Sequence, residues 1–262
     1  MTRRVLVALW LAVLPVMALA GTWQEHEGIA ALFERAGVQG TFVVRMDDGR
    51  LVGHDEARAR TRYVPASTFK IPNALIALSR GIVRDLEQPL PYGGQPQPFP
   101  QWERDMPLGE AFALSNVPVF QGIARSVGPA LYRKDLARFG YGNAEIGERV
   151  DRFWLDGPLA ISAVEQVDFL GRLAEGRLPY SPGAQRAVCA MALTDSGDGW
   201  VLYGKTGWQN APGAGVGWWV GWVVRAGRVH PFALNLDIRR EEDAVRRMQI
   251  GRAALAQLGL LP

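Results

Sequence analysis

The chain has 262 residues, 48% of them hydrophobic and 21% charged, with a formal net charge of +3; this fits a globular protein built as one large domain or two subdomains. Thr2-Arg3-Arg4 followed by the apolar run Val5 to Ala20 predicts a secretory signal peptide cleaved near Ala20. Loss of Arg3 and Arg4 brings 29 basic side chains close to the 26 acidic ones, so the charge balance excludes nucleic acid as an expected partner. The single Cys189 rules out an intrachain disulfide, and His26, His54 and His230 lack metal-ligand spacing, so no metal is expected.

Beyond the leader, Glu27 to Ala36 places Ile29, Leu32 and Phe33 on one side and ends before Gly37, which predicts a short amphipathic helix. Thr41 to Met46, the turn Asp47-Asp48-Gly49 and Arg50 to Gly53 predict a β-hairpin. A helix follows from Ala66, carrying Ile71, Ala74, Leu75 and Leu78 at helical spacing as far as Gly81, with a local irregularity expected at Pro72. Residues 83 to 101 are rich in Pro, Gly and Gln and read as a long loop. Helix is expected from Leu108 to Leu114, broken at Ser115-Asn116-Val117-Pro118, and again over residues 119 to 139. Ser162 with Glu165 three positions on predicts a capping box.

From about residue 195 the period becomes that of strands. Trp200 to Lys205, Gly217 to Val224 and Val229 to Asp237 are predicted strands, and Asp243 to Leu258 a closing helix. Strands at both ends with helices between them predict an α+β fold. Its antiparallel sheet would be formed by residues 21–61 and 195–262 and flanked by the N- and C-terminal helices, with an all-helical subdomain inserted over 62–194.

The chemistry concentrates in two short stretches. In Pro65-Ala66-Ser67-Thr68-Phe69-Lys70, an amine lies one helical turn after a hydroxyl, and positions i and i+3 share a helix face. Lys205-Thr206-Gly207 ends a predicted strand. The chain has only three lysines, Lys70, Lys134 and Lys205, among otherwise arginine cations. Lys can lose its proton when desolvated and Arg cannot, so two of the three stand where a titratable amine is useful. Ser-x-x-Lys followed far downstream by Lys-Thr-Gly, with Ser115-x-Val117 between, is the pattern of penicillin-recognising serine acyltransferases.

At this point the sequence resembles the class D β-lactamases, the oxacillinase family. The match extends to Trp102-x-x-Asp-Met106, Tyr141-Gly-Asn143, Phe153-Trp-Leu155 and Trp208, in the family's order. The resemblance implies a penicillin-binding transpeptidase-like fold and hydrolysis of penicillins through an acyl-enzyme on Ser67. It implies that Lys70 reacts with carbon dioxide and serves as general base as N6-carboxylysine, hydrogen-bonded by Trp154 in a pocket of Phe69, Val117, Trp154 and Leu155. Ser115 and Lys205 would pass a proton to the departing nitrogen. Lys205, Thr206 and Arg247 would hold the substrate carboxylate, Arg246 and Arg239 being the nearby alternatives; Val117 and Gly207 would also contact the substrate, and backbone N–H groups of Ser67 and Trp208 would form the oxyanion hole.

No other cofactor and no membrane insertion after cleavage are implied; the expected location is the periplasm, and monomer and homodimer both stay open. Tyr92-Gly93-Gly94 and the loop Gln209 to Gly215 depart from the family's commonest pattern. A non-hydrolysing β-lactam sensor domain and a penicillin-binding protein are the rival readings.

Overall fold

The computed structural model describes residues 21–210 and 214–262, so the predicted leader lies outside the described residues. The first half of the sheet is made early. Strand β1 (Trp23–Glu25) leads into helix α1 (Glu27–Ala36), and β2 (Gly40–Arg45) and β3 (Leu51–His54) form the expected hairpin, with Gly49 at φ 84° supplying its turn. Helix α2 spans Glu56–Arg60. The helical region then runs through α3 (Lys70–Ser79), α4 (Leu108–Ala113), α5 (Val117–Val127), α6 (Pro129–Phe139), α7 (Ala163–Ala174) and α8 (Pro182–Ala192). It is not wholly helical, because β4 (Pro89–Leu90), inside the stretch expected to be loop, pairs antiparallel with β5 (Met106–Pro107).

The chain returns to the sheet through β6 (Leu193–Gly197), β7 (Trp200–Gln209), β8 (Gly215–Arg225) and β9 (Arg228–Ile238) and closes with α9 (Asp243–Gln257). The sheet order is β1-β3-β2-β9-β8-β7-β6. The expected antiparallel sheet is therefore mixed at one edge, where the three-residue β1 pairs parallel with β3. Besides the short pair β4 and β5, two strands of this sheet went unpredicted, β1 because it is so short and β6 because Leu193-Thr-Asp-Ser-Gly is almost wholly exposed and lacks the alternation of a half-buried strand.

Strand β8 shows how the core is divided. Its residues alternate in side, so Trp218, Val220 and Trp222 join the core shared with the helical region, while Trp219 and Val223 join the one under α1 and α9. Both faces are covered, which is why nearly every residue of β8 is buried. Helix α7, within the predicted insertion, packs its Phe169, Leu170 and Leu173 into the first of these cores together with Val43 and Ala233 of the sheet. Cys189 is half-buried on α8, where burial pushes its thiol up to about 11, as suits a structural rather than a reactive thiol.

The capping box at the start of α7 forms as expected. Ser162 Oγ accepts from the Glu165 N–H, Glu165 accepts from the Ser162 N–H, and Arg62 pairs with the same carboxylate. Ser162→Ala should therefore cost about 1 kcal/mol and lower Tm by roughly 2–4 °C in a chain of this size. An unchanged Tm in thermal unfolding would show that the cap contributes nothing.

Candidate active site

Ser67 and Lys70 lie at a junction between two helical geometries. Residues Ala66–Phe69 wind as a 3-10 turn, and the α-helix proper starts only at Lys70. Pro72 thus falls in the first turn of α3, where its missing N–H costs little, and the expected irregularity sits just upstream as the 3-10 turn. A 3-10 turn nearly eclipses residues three apart, and Lys70 Nζ lies 3.0 Å from Ser67 Oγ. The preceding residue, Ala66, is held at φ 49°, an uncommon conformation for a residue with a Cβ. Thr68 pins this turn. Its hydroxyl donates to the Pro65 carbonyl at 2.7 Å and accepts from Gln166 Nε2 of α7 at 3.0 Å.

Lys70 is fully buried, and burial together with the nearby positive charge of Lys205 pushes its pKa well below the usual lysine value. Phe69 and Trp154 of the predicted pocket are also fully buried, with their rings stacked 5.4 Å apart, while Val117 and Leu155 are half-buried. Trp154 Nε1 is buried and has no hydrogen-bond partner among the described residues. Such an orphaned donor costs free energy unless a ligand or modification satisfies it.

The second pair comes from a helix break and a strand. Between α4 and α5, Ser115 adopts φ 56°, and Asn116 caps α5 by accepting from the Val119 N–H at 3.1 Å. Trp102 Nε1 donates to the Leu114 carbonyl at 3.0 Å and secures the approach to the break. Lys205 on β7 donates to Ser115 Oγ at 2.6 Å and to the Thr206 carbonyl at 3.1 Å. Burial and the neighbouring Arg247 bring the Lys205 pKa down to about 7.

Gly207 explains why the strand can come so close to the Ser67 turn. A Cβ there would lie 2.9 Å from the Pro65 carbonyl oxygen and 3.1 Å from the Thr68 nitrogen, so any side chain would push the two apart. On the helix side, Arg247 of α9 donates to the Gly207 carbonyl. Burial lowers its own pKa to about 10. Among the three candidate arginines this distinguishes Arg247, since Arg246 donates to Ala36 and pairs with Asp243, and Arg239 pairs with Asp237. Thr206 is half-buried, and Trp208, next along β7, is 38% exposed.

Ser67, Lys70, Ser115 and Lys205 thus meet in two directly bonded pairs, and Gly207 joins the strand of one pair to the turn of the other. Sequence reasoning missed two aromatic walls. Lys70 Nζ lies over the Phe120 ring at 5.2 Å and Lys205 Nζ over Phe112 at 5.6 Å. Each phenylalanine is three residues from a motif residue, Val117 or Ser115, and that spacing was the available signal. Gln166 was also missed; a buried polar residue in the first turn of an amphipathic helix was its sign. Among the described residues, no group of three or more His, Cys, Asp or Glu could hold a metal ion, and no helix is long and apolar enough to cross a membrane.

The family model of the penicillin binding protein transpeptidase domain matches residues 43–255. Beta-lactamase OXA-5 of Pseudomonas aeruginosa is 41% identical over 233 residues, 87% of each chain. Beta-lactamase OXA-48 of Klebsiella pneumoniae is 38% identical over 253 residues, 96% of this chain and 95% of that one. The crystal structure of FUS-1 (OXA-85), a class D β-lactamase from Fusobacterium nucleatum subsp. polymorphum, superposes with a TM-score of 0.88 at 35% identity, covering 91% of this chain and all of that chain. Sequence and fold match such relatives along most of their length, and the chain belongs to the class D β-lactamases.

Proposed function

We propose that the protein hydrolyses the β-lactam ring of penicillins in the periplasm through an acyl-enzyme on Ser67, and so confers resistance to them. The observation that carries this reading is a fully buried amine, Lys70 Nζ, 3.0 Å from the Ser67 hydroxyl and strongly biased toward its neutral form. A neutral amine can take the hydroxyl proton and can also be modified; an ammonium can do neither.

In the first stage Ser67 Oγ bonds to the lactam carbonyl carbon, the ring C–N bond breaks, and the nitrogen takes a proton through Ser115, held by Lys205. Backbone N–H groups of Ser67 and Trp208 would stabilise the developing oxyanion, at about 3 kcal/mol per donor. Lys205, Thr206 and Arg247 would hold the substrate carboxylate, with Gly207 keeping the strand close and Val117 contributing apolar contact.

In the second stage water attacks the ester and releases Ser67. The base for this step is Lys70 as N6-carboxylysine: the neutral amine adds to carbon dioxide, forming an N–C bond and releasing one proton, which supplies a carboxylate beside Ser67. The residues present fit that group. Among the described residues Trp154 Nε1 is a buried donor without a partner, and the amine is fully buried with the Phe120 ring over it, which keeps water from it. The Arg-Arg leader pattern ahead of Ala20 supports the periplasmic location.

Three outcomes follow. Ser67→Ala should abolish penicillin turnover and leave no covalent adduct in the mass spectrum of the mixture. Lys70→Ala should form an adduct slowly and then keep it, whereas rapid release would mean that another group activates the water. The third concerns pH. A lysine is charged below its pKa, and that of Lys205 is about 7, so its cation is lost as pH rises through neutrality. In bicarbonate-free buffer, penicillin affinity of the Ser67→Ala variant should weaken roughly tenfold from about pH 6 to about pH 8.5. Adding Lys205→Ala should flatten this dependence, and an unchanged slope in the double variant would remove Lys205 from carboxylate binding.

A further inference from the structure

The Tyr141-Gly142-Asn143 turn supplies none of the four groups above, yet it is tied to the loop that carries Trp154. Asn143 Nδ2 donates to the Pro158 carbonyl at 2.8 Å, and Asn143 Oδ1 accepts from the Ala160 N–H at 3.0 Å. The Asn143 N–H donates to the Ala160 carbonyl at 3.0 Å. Next to these bonds, the Leu159 N–H donates to the Phe153 carbonyl at 3.1 Å, closing the loop directly beside Trp154. Gly142 permits the contact, because a Cβ there would lie 2.0 Å from the Ala160 carbonyl oxygen. From its other side the turn reaches the same indole. The Tyr141 ring packs on Phe69 at 5.8 Å, and Phe69 is stacked on Trp154.

We infer that Asn143 is a positioning residue that fixes the Trp154 indole N–H in the orientation required to hold a carboxylated Lys70. The inference rests on the reading of Lys70 given under Proposed function. A hydrogen bond weakens steeply with angle and with a few tenths of an ångström in distance, so a loop released at its exit would keep the tryptophan buried but lose the bond. Asn143 suits the task because one side chain both accepts and donates, tying down two peptide groups of a loop that has no helix or strand to order it. Loss of Asn143 should therefore act on carbon dioxide affinity at Lys70 and leave acylation of Ser67 nearly unchanged.

The experiment titrates wild type, Asn143→Ala, Asn143→Asp, Trp154→Phe and the Asn143→Ala/Trp154→Phe double variant with carbon-13-labelled bicarbonate. Carbamate occupancy is read by NMR, and Ser67 acylation in a single turnover by mass spectrometry. Asn143→Ala should raise the bicarbonate needed for half-occupancy roughly fivefold or more, the effect of one lost hydrogen bond. Asn143→Asp, which keeps the acceptor but loses the donor to Pro158, should show a smaller rise and decides the matter alone if the alanine variant does not fold. In the Trp154→Phe background, Asn143→Ala should add no further rise. Half-occupancy equal to wild type in the Asn143 variants, or full additivity with Trp154→Phe, would reduce Asn143 to a structural tie. A wild type without any carbamate signal would instead overturn the reading of Lys70 itself, and this inference with it.

Discussion

Taking the amine of Lys70 out of water is the constraint from which the rest of the cleft follows. Burying an ammonium costs several kcal/mol even after relaxation, and the neighbouring charge of Lys205 adds to the cost rather than offsetting it. Both effects push the amine toward its neutral form. The fully buried Phe120 ring lies over it, Phe69 and Trp154 stack on each other in the same buried core, and the Ser67 hydroxyl is within hydrogen-bond distance. A chain that uses arginine almost everywhere else puts lysine here because only lysine can respond to burial in this way.

Two non-glycine residues with positive φ, Ala66 and Ser115, sit on opposite walls of the same cleft. Such conformations cost on the order of 1–3 kcal/mol each and persist only where the surroundings fix them. On one wall the fixing is done by the buried chain from Gln166 through Thr68 to Pro65; on the other, by Asn116 and Trp102. Gly207 then sets the distance between the Ser67 turn and β7, with Arg247 fastened to the same peptide.

Much of this was legible because it depends on spacing. The Ser67–Lys70 interval, the Asp-Gly hairpin, the Ser162 capping box and the helix break before Val117 are local patterns whose physics acts over a few residues. Ser67 and Lys70 were placed together correctly even though the helix type was not, because i and i+3 share a face in α and 3-10 geometry alike. What escaped depends on distant partners. Phe112 and Phe120 read as ordinary core positions until the lysines above them are seen, and the packing of α7 on the sheet is invisible in a helix whose apolar face would suit either neighbour. Strand β1 exists only because β3 is beside it.

The pairing of β2 with β9 has a consequence in time. Gly40 lies opposite Leu236, so the middle of the sheet joins one of the earliest strands to the last one, and Arg247 arrives later still on the closing helix. Contacts this far apart in sequence close slowly, since the intervening chain must be ordered before they form. Ser67 and Lys70 are written into one local turn, but the strand and arginine that complete the cleft come from the end of the chain. During synthesis the molecule is therefore held without a finished cleft until its final residues are free to fold, and the complete arrangement is the last thing it acquires.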